Sequence, residues 1–148
     1  MLLSLSTIAI DGYRLLPIGH SLSGLEGKSL TGKCMRLGEL KRPAVIFFFE
    51  PGCEMCRAIV PGLTDLYLRT ADSLQWVGVT HVEDSTRIAD FILDTGMPWE
   101  VIRISKKSWD ECMIDATPTI YLTDRKNRIA TGRLVRSEDL IPLIAPGR

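Results

Sequence analysis

Two cysteines three positions apart, Cys53 and Cys56, are the residues whose type and spacing most directly predict chemistry in this sequence. A thiolate attacks a disulfide to form a mixed disulfide, and a second thiol nearby displaces the bound partner, so a C-x-x-C pair suffices for dithiol–disulfide exchange. Zinc sites use the same spacing but need a second pair of ligands. The other candidate ligands stand isolated from one another along the chain. They are His20, Cys34, His81 and Cys112. The spacing therefore favours a redox pair and predicts no metal site.

The residues around the pair predict a strand, a turn and a helix. The segment Ala44 to Phe49 is continuously apolar, which is typical of a central strand covered on both faces. Pro51-Gly52 ends that strand, and apolar periodicity predicts a helix from Glu54 to about Thr70. Cys53 then lies at the helix start, where unpaired N–H groups and the helix dipole favour a thiolate. Cys56 lies nearly one turn further on the same face, so we expect Cys53 to attack and Cys56 to resolve.

The rest of the chain alternates between strand and helix patterns. Strands are predicted at Leu74 to Val79, Val101 to Ile104, Thr119 to Thr123 and Arg128 to Leu134. Helices are predicted from Asp84 or Ser85 to about Thr95 and from Ser137, where Pro142 is expected to stop the helix early. Before the first core strand, Gly19 to Gly32 predicts a loop or hairpin, with a further strand at Ser29 to Leu37. This order predicts an α/β fold with a central mixed sheet flanked by helices.

Length and composition limit the classes of protein to consider. A chain of 148 residues with 45% hydrophobic and 24% charged residues is typical of one globular domain. Its 18 Lys and Arg balance 18 Asp and Glu, which argues against a nucleic-acid binder that relies on bulk positive charge. No apolar run reaches the roughly 18–20 residues of a membrane-spanning helix. The segment Met1 to Ile10 lacks the basic start of a signal peptide.

The segment from Phe47 to Pro61 resembles the active-site segment of the thioredoxin superfamily. In that family an apolar strand leads into W-C-x-x-C-K/R, and a proline follows the second cysteine by five residues, as Pro61 does here. The Thr117-Pro118 pair, ahead of an apolar strand, resembles the cis-proline loop of the same superfamily. The resemblance implies a thioredoxin fold and a cis Thr117–Pro118 bond whose loop faces the cysteines, so that the Thr117 backbone pairs with a bound substrate chain. The residues that it places in the active-site loop are Gly52, Glu54 and Met55.

A finer resemblance is to the TlpA-like branch of that superfamily, which includes ResA-type proteins. It rests on a short N-terminal hairpin over Gly24 to Leu40 and on Gly78-Val79 followed by a loop. This resemblance implies one thioredoxin-like domain over residues 1–148, with an N-terminal extension and hairpin at 1–43 and a core at 44–148. It also implies a reductase outside the cytoplasm that needs no cofactor. Its partners would be a protein client with cysteines or a disulfide and a second dithiol or disulfide protein, and nothing suggests an obligate dimer.

Two other classes of function compete with this interpretation. A redox-inactive binding module would keep the fold and use the cysteines as a structural bridge. A peroxidase of the peroxiredoxin type would share the fold but normally needs a threonine a few residues before the attacking cysteine. Glu50 and the Pro51-Gly52 turn do not supply that threonine.

Several residues near the pair have two interpretations each. Glu50 either accepts a proton or faces solvent at the strand end, and His81 either assists proton transfer or lies in a surface loop. Arg57 either lends positive charge to the thiolate or is a solvated first-turn residue. Cys34 and Cys112 either form a second disulfide or are two separate buried small residues.

Overall fold

The computed structural model describes residues 14–144. Within this range the chain forms six strands, four α-helices and one short 3-10 helix at Leu37–Glu39. The strands are β1 (Glu26–Lys28), β2 (Cys34–Arg36), β3 (Ala44–Phe48), β4 (Gln75–Thr80), β5 (Glu100–Arg103) and β6 (Thr119–Thr123). The helices are α1 (Glu54–Thr70), α2 (Ser85–Thr95), α3 (Lys106–Glu111) and α4 (Ser137–Ile144). The Met1 to Ile10 segment considered as a signal peptide lies outside the described residues.

The six strands form one mixed sheet in the order β2-β1-β5-β4-β3-β6. The three central strands β5, β4 and β3 run parallel to one another, whereas β6 pairs antiparallel with β3 at one side. At the other side β1 pairs antiparallel with both β2 and β5. The predicted α/β fold with a mixed central sheet is therefore confirmed, and β1 and β2 form the predicted N-terminal hairpin.

Strand β3 is buried on both faces, as its continuous apolar sequence predicts. Its residues alternate between two hydrophobic clusters, because successive side chains of a strand point to opposite faces of the sheet. Ile46 and Phe48 pack on the face covered by α3, where they share a cluster with Trp109. Phe47 and Phe49 pack on the face covered by α1, α2 and α4. The strand that leads to Cys53 is thus fixed from both sides.

Helix α1 follows the predicted range from Glu54 to Thr70, with Cys53 as its N-cap. Its buried stripe packs on the sheet, and the helix continues through Pro61. At Gly62 a Cβ atom would overlap the Ser137 side chain of α4, so the absence of a side chain lets these two helices approach closely. Helix α2 also matches its prediction and ends at Gly96, which adopts the left-handed conformation at φ 72°.

The predicted strand at Arg128 to Leu134 is wrong. This segment pairs with β6 through two isolated bridges, Ile129 with Thr123 and Leu134 with Ile120, and does not form a continuous strand. Between those bridges the Leu122 N–H donates to the Thr131 hydroxyl at 3.3 Å. Because a side-chain oxygen takes that donor, the regular backbone ladder is interrupted.

Three other elements differ from the sequence predictions by more than one residue. The strand predicted at Ser29 to Leu37 is confined to Cys34–Arg36, because Gly32 forms part of the hairpin turn with φ 89°. Helix α4 continues past Pro142 to Ile144, although that proline was expected to stop it early. Helix α3 was not predicted, since its six residues are too few for a periodic signal.

Candidate active site

Cys53 lies where the turn after β3 meets the first turn of α1. Its N–H donates to the Glu50 carbonyl at 3.0 Å, which closes the turn. Its Sγ accepts a hydrogen bond from the Cys56 N–H at 3.1 Å, one of the helix-start donors that have no partner within the helix. That bond and the helix dipole stabilise negative charge on the sulfur. The half-buried Cys53 is therefore accessible and placed to act as a thiolate.

Cys56 contrasts with Cys53 in being fully buried, at 0% exposure. Burial and, to a smaller extent, the neighbouring Cys53 side chain raise the pKa of the Cys56 thiol to about 12, although the Glu50 backbone and the Thr117 side chain oppose the shift. Cys56 consequently holds its proton in the resting protein. Because Cys53 is partly exposed and Cys56 is buried, Cys53 is the thiol that an outside group reaches first.

The Thr117–Pro118 loop lies against the cysteine pair. The peptide bond between these residues is cis, and Pro118 is buried. The Cys53 thiol donates to the Thr117 carbonyl oxygen at 3.5 Å. The structure thus brings together four residues that are far apart in the sequence: the two cysteines of α1 and the two residues that precede β6.

Two arginines that the sequence analysis did not single out hold this loop. Arg133 donates to the Pro118 carbonyl at 3.1 Å and to the Thr119 hydroxyl at 2.9 Å. Arg14 binds Asp115, two residues before Thr117, through both its backbone N–H at 2.7 Å and its guanidinium at 2.8 Å. No local pattern marks these arginines, because each acts on a segment distant in sequence.

Glu50 and His81, which the sequence left open between two interpretations each, contact one another. Glu50 Oε2 lies 2.9 Å from His81 Nε2, and Glu50 Oε1 accepts the Thr117 hydroxyl at 3.2 Å. The His81 ring packs against Trp109 of α3 with centroids 4.4 Å apart. The Glu50 carboxylate is therefore not simply a solvated strand-end charge, and His81 is held in place on two sides.

The strand registers explain this arrangement. In the parallel β3–β4 pair Phe48 lies opposite Val79, and in the antiparallel β3–β6 pair it lies opposite Thr119. Continued two residues past the end of β3, the same registers place Glu50 beside His81 on one side and beside Thr117 on the other. The three polar side chains thus form a row across the carboxyl end of β3.

The predicted loop residues lie at the surface beside Cys53. Gly52, Glu54 and Met55 are not buried, and Met55 is 56% exposed. The Arg87 guanidinium lies against Gly52, where a Cβ atom would be 3.3 Å from its Nη2. Arg57 instead packs over the Phe91 ring at 5.1 Å and pairs with Asp94 at 3.2 Å. Arg87, which the sequence analysis missed, is thus the arginine beside the loop before Cys53.

The other two cysteines do not pair in this structure. Cys34 is exposed and free, whereas Cys112 is buried and free. Burial raises the pKa of the Cys112 thiol to about 11, with a smaller contribution from Glu111. The prediction of a buried residue is therefore correct for Cys112 and wrong for Cys34.

The described residues were also searched for groups that could bind a metal ion and for helices that could span a membrane. Within residues 14–144, no three His, Cys, Asp or Glu side chains gather in a group that could hold a metal ion. Over the same range, no helix combines the length and the apolar character needed to cross a membrane.

Comparison with known proteins connects this geometry to a fold. The thioredoxin domain of a thiol-disulfide oxidoreductase from Bacteroides vulgatus matches with a TM-score of 0.79 at 22% identity, over 87% of this chain and 96% of that one. A thiol:disulfide interchange protein from a Bacteroides species matches with a TM-score of 0.77 at 20% identity, over 90% and 93% of the two chains. A secreted Mycobacterium tuberculosis disulfide oxidoreductase homologous to E. coli DsbE matches with a TM-score of 0.70 at 17% identity, over 82% and 94%.

These likenesses show the thioredoxin fold, so the fold that the sequence predicts is confirmed. No protein-family model and no curated protein matches the sequence.

Proposed function

We propose that the protein is a thiol–disulfide oxidoreductase that exchanges a dithiol for a disulfide with a protein client. One observation carries the proposal: Cys53 Sγ caps a helix, 3.1 Å from the Cys56 N–H, and also contacts the Thr117 carbonyl of the facing loop. An accessible sulfur stabilised by helix N–H groups next to a buried second thiol is what two-step exchange requires. The three structural neighbours described above are named as thiol-disulfide oxidoreductase, thiol:disulfide interchange protein and disulfide oxidoreductase, and these names support the assignment.

In the reducing direction the Cys53 thiolate attacks one sulfur of the client disulfide. A bond forms between Cys53 and the client, and the other client sulfur leaves as a thiolate that takes up a proton. Cys56 then loses its proton and attacks the Cys53 sulfur, which closes the Cys53–Cys56 disulfide and releases the second client thiol. Two electrons pass from the protein dithiol to the client, and a partner dithiol protein returns them.

The Thr117–Pro118 loop is the proposed binding edge for the client chain. The Thr117 carbonyl already accepts a hydrogen bond from Cys53, so the loop backbone lies within reach of a chain bound to that sulfur. The exposed Met55 side chain offers an apolar contact beside it. The active-site loop of Gly52, Glu54 and Met55 forms the surface around the attacking thiol.

The direction and setting of the reaction follow from the resemblance to TlpA-like proteins. We infer a monomeric reductase outside the cytoplasm, built as one domain with an N-terminal extension at 1–43 and a core at 44–148. The M. tuberculosis neighbour is described as secreted, which supports that setting. The proposed chemistry requires no metal or organic cofactor.

Insulin reduction with a dithiol donor tests the proposal. The wild-type protein is expected to accelerate insulin precipitation, and Cys53→Ser is expected to abolish the acceleration because the attacking sulfur is gone. Cys34→Ser serves as the matched control, since it removes an exposed thiol outside the site and leaves the rate unchanged. An inactive wild-type protein whose Cys53→Ser variant still binds a client would instead establish a binding module.

A further inference from the structure

We propose that Arg87 of α2 selects clients by binding a carboxylate side chain one or two residues away from the client cysteine that Cys53 attacks. The inference deepens the proposed function and rests on it, because it names the class of disulfide that the site accepts. It makes Arg87 a specificity-determining residue that contacts the client, and it leaves the exchange itself to the two thiols.

The Arg87 guanidinium lies over the loop that leads into the attacking cysteine. Gly52 is exposed and directly precedes Cys53, and a Cβ atom at Gly52 would be 3.3 Å from Arg87 Nη2. Because glycine has no side chain, the guanidinium can lie this close to the backbone of the loop. Arg87 therefore places a positive charge beside the residue that precedes the attacking thiol.

The exposed Arg87 side chain has its donors available for a client. Within residues 14–144 no hydrogen bond or ion pair engages its guanidinium. The nearby Asp84 carboxylate instead accepts the Thr86 N–H at 2.9 Å. Arg57, the other arginine near the cysteines, differs because it pairs with Asp94 at 3.2 Å. A guanidinium without a partner presents a planar fork of N–H groups that fits a carboxylate.

The sheet order shows how a client chain reaches Arg87. Strand β6, which follows the Thr117–Pro118 loop, pairs with β3 on one side, and β4, which precedes α2, pairs with β3 on the other. Cys53 follows β3 itself and therefore lies between the two. A client chain that contacts the Thr117 loop and continues across Cys53 runs towards the first turn of α2, where Arg87 is the third residue.

The geometry of a mixed disulfide sets how far the carboxylate lies from the client cysteine. The Cα atoms of two disulfide-bonded residues are about 4.4–6.8 Å apart, and consecutive Cα atoms are about 3.8 Å apart. Gly52 is one such step from Cys53, so a client residue one or two steps from its own cysteine can lie over Gly52. An aspartate or glutamate there reaches the Arg87 guanidinium.

Acidic residues on the protein restrict this preference to one position of the client. Glu54 directly follows Cys53 and is exposed, and Glu50 is partly exposed at the end of β3. Both carboxylates repel further negative charge on a bound chain, since like charges brought together at an interface disfavour binding. The site therefore favours one acidic residue beside the client cysteine and not a client that is acidic throughout.

Reduction of matched peptide disulfides tests the assignment. Each peptide is capped at both ends and forms a disulfide with an identical chain, and it carries an aspartate or an asparagine directly before or directly after its cysteine. One turnover by the pre-reduced protein, in a Cys34→Ser background, gives the rate constant for each peptide by acid quenching and chromatography. At the better position, the ratio of the aspartate to the asparagine rate constant should fall about threefold in Arg87→Gln, as expected for an exposed ion pair.

Further variants distinguish a specific contact from a general effect of charge. Arg57→Gln is the matched control, because it removes the same charge from an arginine that already pairs with Asp94, and it should leave the ratio unchanged. Arg87→Lys keeps the charge without the fork and should give an intermediate ratio. Arg87→Glu should lower the ratio below that of Arg87→Gln, and it provides a second variant if Arg87→Gln does not fold. In about 1 M salt the wild-type ratio should approach that of Arg87→Gln.

The outcomes separate failure of this inference from failure of the proposed function. If the peptides are reduced but the ratio is the same in the wild type, Arg87→Gln and Arg87→Glu, the role of Arg87 is overturned and the proposed function stands. An equal fall of the ratio in Arg57→Gln would overturn it as well. So would an Arg87-dependent preference confined to the asparagine peptide with a free carboxyl terminus, because the carboxylate would then not belong to a side chain. A wild-type protein that reduces none of the peptides would overturn the proposed function and the inference with it.

Discussion

The four cysteines of the described chain lie in different surroundings. Cys53 and Cys56 lie at the start of α1, whereas Cys34 lies in the N-terminal hairpin and Cys112 at the end of α3. Cys53 lies at the N-terminus of a helix and accepts a hydrogen bond from a backbone N–H. Cys112 lies at the C-terminal cap of α3, where the carbonyl groups and the negative end of the helix dipole oppose a thiolate. Cys34 is exposed on an edge strand of the sheet.

We therefore expect the reactivity of each thiol to depend on what surrounds its sulfur. Cys34 and Cys112 differ in exposure, but neither lies at the start of a helix beside a second thiol. Cys53 has both, together with the Thr117 carbonyl on the facing loop. Measurements on each thiol separately test this difference between the two pairs.

The largest expected difference is in alkylation rate. At neutral pH Cys53 should react with iodoacetamide at least about a hundredfold faster than Cys56, because a buried core group reacts only after local opening that costs several kcal/mol. Cys34 should react as an ordinary exposed thiol and Cys112 should resist, since it is 5% exposed. Peptide mass spectrometry over a time course measures all four. Faster labelling of Cys56 than of Cys53 would reverse the assigned roles.

A smaller effect is expected in the pH dependence of stability. The folded pKa values of Cys56, about 12, and Cys112, about 11, lie above the ordinary value of 9.0, so the folded protein holds these protons more tightly than the unfolded chain. Their stabilising contribution is fully present below about pH 9 and is lost as the pH rises towards the folded values. Each thiol adds a slope of up to about 1.4 kcal/mol per pH unit in this window.

Urea unfolding between about pH 8 and pH 10 measures that slope. Cys112→Ala should lower the overall stability and also flatten the loss of stability with pH, whereas Cys34→Ala should leave the slope unchanged. Equal slopes in the wild type and in both variants would show that burial does not govern the ionisation of Cys112.

The cysteine half of the site could be predicted from the sequence because its signals are local. An apolar run, a Pro-Gly turn and a periodic segment fix Cys53 at a helix start, and the structure places it there. The resemblance to thioredoxins then supplied Thr117 and Pro118, which no local pattern connects to the cysteines.

The polar half of the site could not be predicted in the same way. Glu50 and His81 are 31 residues apart, and Glu50 and Thr117 are 67 apart. Their contacts follow from the registers of β3 with β4 and with β6, which depend on the packing of the whole sheet. A sequence alone shows two polar residues after two strands but not that they meet.

The sequence predictions that were wrong about the fold failed for similar physical reasons. The segment Arg128 to Leu134 has a strand-like composition, but the Thr131 hydroxyl occupies a donor that the ladder requires. Pro142 removes one N–H from α4, yet the helix packs against α1 and continues through it. In both places a tertiary contact outweighs a local preference.

Trapping of the mixed disulfide tests the central claim most directly. The Cys56→Ser variant retains the attacking thiol but cannot resolve, so incubation with a disulfide-containing client such as insulin should yield a stable covalent adduct. Mass spectrometry should locate that adduct at Cys53, and Cys53→Ser should form none at Cys56. An adduct at Cys34 or Cys112, or equal trapping by both variants, would contradict the division of roles between the two thiols.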